Sequence, residues 1–273
     1  MSIVASEFEK VLWIDADAFI LRNFSYIANE TTSGTLFWHD AHKTHPDNPI
    51  WKLMNMTEPY NGLAQESGIL YVDKALEWRM LHVAAYMNQK QNVYYSLLFG
   101  DKDTFFLSCL ALHENCTFVP YGLLLLGKST DELRNDMNSQ YLRRNRFRGY
   151  AFLQPDMDGR PLCVHLSYGG KKVGIPFLKR GKRLFSYIRS YNPNTAHLAP
   201  IKALRDVVVD EGDYYAPLYD TKRALGSFEE DLLQALKEGA RLIKEVRKAA
   251  EEGDKEQSFD ATAEEASDEN RYD

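Results

Sequence analysis

The stretch Val11-Leu-Trp-Ile-Asp-Ala-Asp-Ala-Phe19 sets four apolar residues directly before two acidic ones. A short apolar run of this kind reads as a buried strand, and open α/β sheets bind ligands just beyond the ends of such strands. Asp15 and Asp17 flank Ala16, so in extended geometry both carboxylates project on one face, where oxygen ligands can hold a divalent cation. A lone D-x-D also describes two solvated aspartates in a loop. What raises the metal reading is its place at the end of an apolar strand.

Working outward, a second strand is predicted at Ile69-Leu-Tyr-Val72, preceded by Gln65-Glu-Ser-Gly68 and followed by a helix from about Lys74 to Gln89. Another helix follows Gly100-Asp-Lys-Asp103, where Asp101 and Asp103 suit a helix N-terminus: capping accounts for one of them and less well for the second. Strands are predicted at Thr117–Val119, Gly122–Leu126, Tyr150–Leu153 and Leu162–His165, the last two joined as a hairpin by Pro155-Asp-Met-Asp-Gly159. Strands interleaved with helices indicate an α/β fold with a mixed sheet. His165 ends an apolar strand, and Gly169-Gly-Lys-Lys172 follows as a flexible segment whose amides and ammonium groups could approach a phosphate.

The domain reading is 1–190 for the main body, 191–226 for an irregular Pro-containing extension, 227–250 for an amphipathic helix opened by a Ser227/Glu230 capping box, and 251–273 for a disordered acidic tail. That tail carries ten acidic residues against Lys255 and Arg271, so the overall charge of -6 leaves about +2 for the body. At 44% apolar, the 273 residues are enough to bury a sizeable core. The basic groups Arg143, Arg144, Arg146 and Arg148, then Lys179, Arg180, Lys182 and Arg183, lie in a near-neutral body without a nucleic-acid-binding motif, which argues against nucleic acid as a partner.

Cys109, Cys116 and Cys163 have no C-x-x-C spacing; a Cys109–Cys116 or a Cys116–Cys163 bridge is possible, and zinc is disfavoured. Four sequons, Asn23-Phe-Ser25, Asn29-Glu-Thr31, Asn55-Met-Thr57 and Asn115-Cys-Thr117, suit a secretory lumen. No run of about 18 apolar residues and no signal-peptide core is present in the sequence given.

With these segments in order, the chain resembles the fungal α-mannosyltransferases of glycosyltransferase family 71, from about Phe8 to Tyr168. The matching pieces are Val11 to Phe19, Gln65-Glu-Ser-Gly68 with Val72-Asp-Lys74, Tyr94-Tyr95 before Gly100-Asp-Lys-Asp-Thr-Phe105, and Pro161-Leu162 before His165. The resemblance implies a GT-A fold, GDP-mannose as donor, a mannosyl glycan as acceptor, Mn²⁺, retained α-configuration, a Golgi membrane or lumenal location and other Golgi mannosyltransferases as partners. It implies Asp15, Asp17 and His165 as metal ligands and Asp101 and Asp103 as the acidic pair near the sugar. It further implies Gln65, Glu66 and Ser67 at the acceptor or sugar, and Gly169, Gly170, Lys171 and Lys172 at the donor phosphates. Only fourteen residues precede Asp15, where a GT-A domain spends roughly 80–100 on its nucleotide-binding half, so a partial GT-A domain without its membrane anchor is expected. A non-catalytic glycan-binding or scaffold protein, and a transferase with another nucleotide sugar, are the competing expectations.

Overall fold

The computed structural model describes residues 2–29, 31, 33–40, 42–129, 131–133, 147–166, 175–190, 216–217, 225 and 227–246. The chain divides into two compact units, Met1–Gly226 and Ser227–Asp273. The first is built from strands β1 (Lys10–Ile14), β2 (Ala18–Ile20), β3 (Thr35–His39), β4 (Gln65–Asp73), β5 (Leu124–Ser129), β6 (Phe147–Pro155), β7 (Pro161–His165), β8 (Tyr187–Ser190) and β9 (Ala216–Pro217). Its helices are α1 (Ser2–Ala5), α2 (Ile50–Leu53), α3 (Trp78–Gln89), α4 (Gln91–Tyr94), α5 (Lys102–Leu112) and α6 (Ile175–Lys179). The described part of the second unit is a helix over 228–246, α7.

The fold is α/β, as the pattern of elements predicts. Its strands form two sheets rather than one, of order β1-β4-β3 and β2-β7-β6-β5-β8-β9, and every named pair is antiparallel. The strand predicted at Thr117–Val119 is reduced to one parallel bridge, Phe37 to Phe118.

Strand β4 decides the layering. Ile69, Leu70, Tyr71 and Val72 are all buried, and their side chains alternate between two cores, as the two-residue period of a strand requires. Leu70 and Val72 pack with Met80, Leu81 and Ala84 of α3 and with Phe105, Phe106 and Cys109 of α5. Ile69 and Tyr71 pack with Leu36 and Trp38 of β3 and with Leu162 and Cys163 of β7. The small sheet therefore lies between a helical layer and the large sheet. Each fully buried aliphatic side chain here contributes about 1.5–3 kcal/mol relative to exposure. Trp38 fastens the two sheets by donating its indole N–H to the Pro155 carbonyl at 2.6 Å.

The hairpin at 155–161 forms as predicted: Asp156 Oδ1 accepts the amides of Asp158 and Arg160, and Gly159 supplies a φ of 80°. Cys109 and Cys116 form a disulfide, whereas Cys163 is free and buried, so the alternative Cys116–Cys163 pairing is not made. The capping box is also not formed: the Ser227 hydroxyl donates to the Asp231 carboxylate instead of accepting the Glu230 amide. No helix among the described residues is long and apolar enough to cross a membrane. The predicted tail 251–273 and the segment Gly169–Lys172 lie outside the described residues.

Candidate metal centre and its cleft

The D-x-D segment is the crossover between the sheets. Strand β1 ends with Ile14 opposite Ile69, and the Asp15 amide donates to the Gly68 carbonyl of β4 at 2.9 Å. Three residues on, Ala18 opens β2 opposite His165 of β7, and the Leu166 amide donates to the Asp17 carbonyl at 2.8 Å. The segment is a turn, closed by the Ala18 amide on the Asp15 carbonyl at 2.9 Å, and not the extended arrangement predicted from the one-residue spacing. It turns because the chain must leave one sheet and enter the other between Ile14 and Ala18.

The turn still brings the carboxylates together. Ligand atoms of Asp15, Asp17 and His165 all lie within 4.8 Å of one another. His165 Nε2 is 3.4 Å from Asp17 Oδ1 and 4.0 Å from Asp15 Oδ2. Two ligands each about 2.1 Å from one ion stand about 3.0 Å apart at right angles and about 4.2 Å apart when opposed, so these spacings fit a single small divalent cation. Two carboxylates and an imidazole suit manganese, magnesium or zinc.

Neighbouring groups fix the orientation of the Asp15 and His165 side chains. Trp13, on the same face of β1 two residues earlier, donates its indole N–H to Asp15 Oδ1 at 2.9 Å. On the other side of the imidazole, His165 Nδ1 lies 3.1 Å from Glu66 Oε1. Glu66 Oε2 accepts the Gly68 amide at 2.9 Å and the Gln154 side-chain amide. The Phe152 ring meets the imidazole edge-on at 5.8 Å.

Burial raises the Asp15 carboxyl above its ordinary range, and the Glu66 and Asp17 charges add to this, against the Trp13 hydrogen bond and His165. For His165 burial acts to lower the pKa, but the hydrogen bond and charge of Glu66, with Asp17 and Asp15, together raise it. The Asp15 shift reports mainly its burial, whereas the His165 shift reports the three carboxylates around the imidazole.

Beside Asp15 opens a cleft lined by Trp13, Asp15, Ser67, Asn88, Asp101 and Phe105, among others. Asp101 therefore shares the cleft with Asp15, while Asp103 does not. Asp103 is buried, accepts the Phe99 amide at 3.0 Å and pairs with Lys102 Nζ at 3.1 Å. Lys102 also reaches Asp40 at 2.7 Å, and the other Asp40 oxygen lies 3.3 Å from His42 Nδ1.

Of the three residues expected at the acceptor or sugar, Ser67 faces the cleft. Gln65 is buried with Oε1 on the Phe106 amide at 3.0 Å, tying β4 to α5, and Glu66 is buried beneath His165. Sequence reading missed Trp13, although its two-residue offset from Asp15 in a strand would have placed both on one face. It also missed Gln154, which reaches Glu66 across the two packed sheets from 88 positions along the chain.

With this geometry in place, one comparison with known proteins bears on the class of activity. Residues 52–156 match a family model described as "Mannosyltransferase putative", a match that supports a glycosyltransferase role. The matched segment holds Gln65 to Gly68, Asp101, Asp103 and Gln154, whereas Asp15, Asp17 and His165 lie on either side of it. A search of curated proteins finds no match.

Proposed function

We propose that this chain transfers mannose from GDP-mannose to a mannosyl hydroxyl of a glycan with retention of the α-configuration, using Mn²⁺ held by Asp15, Asp17 and His165. The observation that carries this reading is the convergence of those three side chains, one of which, Asp15, lines a cleft that also contains Asp101. It joins a diphosphate-type cation site to a carboxylate able to hold sugar hydroxyls. The mannosyltransferase match over the intervening segment supports the sugar.

A bound divalent ion supplies charge for the departing diphosphate. Asp15, Asp17 and His165 would hold that ion, the Trp13 indole fixes the Asp15 carboxylate, and Asp101 accepts hydrogen bonds from hydroxyls of the transferred sugar. The bond between C1 and the diphosphate oxygen breaks, the acceptor oxygen bonds C1 from the same face, and the acceptor proton passes to the departing phosphate oxygen. Gly169, Gly170, Lys171 and Lys172 follow β7 closely enough in sequence to serve the phosphates in this reading. The Cys109–Cys116 disulfide and the sequons agree with a Golgi lumenal setting.

The test is calorimetric titration of the chain with Mn²⁺ and then GDP-mannose, with transfer to a mannoside followed by chromatography. Asp17→Asn removes a charged ligand at nearly constant shape and is expected to abolish metal-dependent donor binding while the fold persists. Equal binding by Asp17→Asn and the unmutated chain would overturn the assignment.

A further inference from the structure

We propose that Glu66 is a positioning residue that fixes His165 as the Nδ1–H tautomer and so keeps the Nε2 lone pair turned toward Asp15 and Asp17. The role assigned to Nε2 rests on the metal reading above; the tautomer is a property of the chain without any ion.

A neutral imidazole carries one N–H, and an ionised carboxylate can only accept. Two carboxylates compete for that proton, Glu66 at 3.1 Å from Nδ1 and Asp17 at 3.4 Å from Nε2. Glu66 is closer, and its side chain is 6% exposed against 20% for Asp17, so its charge is less screened and its hydrogen bond stronger. The proton belongs on Nδ1. The opposite tautomer would set the Nδ1 lone pair against a buried carboxylate.

Glu66 is itself held in place. Its second oxygen takes the Gly68 amide and the Gln154 amide, and it lies on β4, paired with β1 on one side and β3 on the other. Gln154 spends its NH₂ on Glu66 at the cost of a buried Oε1 that has no partner among the described residues. Turning that amide over would point its oxygen at the carboxylate, so the unpaired carbonyl reflects the demand for a donor at Glu66. The imidazole also packs closely against the strand: a Cβ at Gly68 would stand 2.3 Å from Nδ1. Together these contacts leave His165 one position and one tautomer, the arrangement in which a carboxylate behind a histidine raises its basicity toward a metal.

The experiment uses the full chain labelled with ¹⁵N-histidine, free of metal and at about pH 9, where imidazole is neutral. Long-range ¹H–¹⁵N spectra are expected to show the Nδ1–H pattern for His165, identified by its loss in His165→Gln. Glu66→Gln, which leaves Asp17 as the nearest charge, is expected to move the proton to Nε2 and to weaken Mn²⁺ binding about 10- to 100-fold. Gln154→Met keeps the Glu66 charge and is expected to retain the Nδ1–H pattern with a smaller loss of affinity, which serves if Glu66→Gln does not fold. An Nε2–H pattern in the unmutated chain, or an unchanged pattern and affinity in Glu66→Gln, overturns the proposal. Should the tautomer respond as expected while Mn²⁺ binds neither protein, the metal reading fails and the tautomer assignment stands.

Discussion

Gly68→Ala is the sharpest perturbation of the site, because it adds one methyl group and no charge. Gly68 is not at positive φ, so alanine is compatible with its backbone; what it lacks is space. The added Cβ would lie 2.3 Å from His165 Nδ1 and 2.8 Å from Cε1 and Cγ. Ordinary contact begins near about 3.5 Å, so something must move by roughly 1 Å. The strand cannot yield easily, since the Gly68 carbonyl holds the Asp15 amide and the Gly68 amide is held by Glu66, both at 2.9 Å. The imidazole therefore retreats, stretching its bond to Glu66 and carrying Nε2 away from the two aspartates. Overpacking of this size costs about 1–3 kcal/mol, or about 2–12 °C in melting temperature for a domain near 200 residues. Loss of one ligand position is expected to weaken Mn²⁺ about 10- to 100-fold, since second-sphere defects have that effect. Calorimetry against Mn²⁺ and thermal melting read the two effects separately. Wild-type metal affinity in a folded Gly68→Ala protein would refute the reasoning, because His165 could not then be both displaced and a ligand.

Lys102→Met strands Asp40 and Asp103 without their shared counter-charge; breaking such a buried pair costs about 3–5 kcal/mol, and a melting-temperature loss under about 2 °C at pH 7 would count against the network. Burial acts to raise the Asp40 carboxyl, but the His42 hydrogen bond and the Lys102 charge hold it below the usual range. Its contribution to stability is therefore complete above the ordinary carboxylate range and lost as the pH falls through the lower folded value, a loss that Asp40→Asn should remove from the acid unfolding curve. Glu77 runs the other way: burial first, then Glu114 and Asp73, push its carboxyl from 4.5 up to about 7. The folded chain then binds the extra proton between those values, so stability falls as pH rises through that window. Glu77→Gln should stabilise the protein by something on the order of 1–3 kcal/mol at pH 8 and by nothing below pH 4, with a pH-independent difference as the refuting result. In a secretory host, glycans are expected at Asn23, exposed with its Oδ1 on the Ser25 amide at 2.9 Å, and at Asn55, exposed at a φ of 57°. Asn115 should stay bare because Cys116 is in the disulfide and the Thr117 hydroxyl is bonded to Ser33 and Thr31; single Asn→Gln variants and endoglycosidase mass shifts decide.

What could be read in the sequence followed from local pattern. Val11 to Ile14 and Ile69 to Val72 are apolar runs of strand length, and the predicted helices over 74–89 and after Gly100 correspond to α3 and α5 with ends shifted by a few residues. Strand β3 went unread: Leu36, Phe37 and Trp38 are only three apolar residues between Thr35 and His39, and their burial comes from β4 beside them rather than from any period of their own. The division into two sheets was equally hidden, because it is set by which strands pair, and β1 finds its partner near residue 70 while β2 finds its own near residue 164. Asp15 and Asp17 were legible as candidates from residue type and strand-end position, and His165 became a candidate ligand only through the family resemblance. Asp101 and Asp103 could not be told apart, since what separates them is the Lys102 link to Asp40, 62 positions away. Glu66 could be singled out but not given its partner, which lies 99 positions along the chain.

The crossover also leads to the expectation that the site tolerates little change around it. Asp15 is hydrogen-bonded by its amide to the small sheet and Asp17 by its carbonyl to the large one, so the distance between the two carboxylates is set by how the sheets pack. That packing is the cluster of Leu36, Trp38, Ile69, Tyr71, Leu162 and Cys163, together with the Trp38 bond to Pro155. Cys163 sits in it two residues before His165; burial, with the Glu66 and Asp15 charges, pushes its thiol far up, so it remains protonated and acts as packing rather than as a nucleophile. A cavity opened in this cluster, as by Leu162→Ala, would cost about 2–5 kcal/mol of stability. It would also loosen the one boundary across which all three candidate ligands must meet. The residues that hold the sheets together are therefore part of what positions the cation site, although none of them touches it.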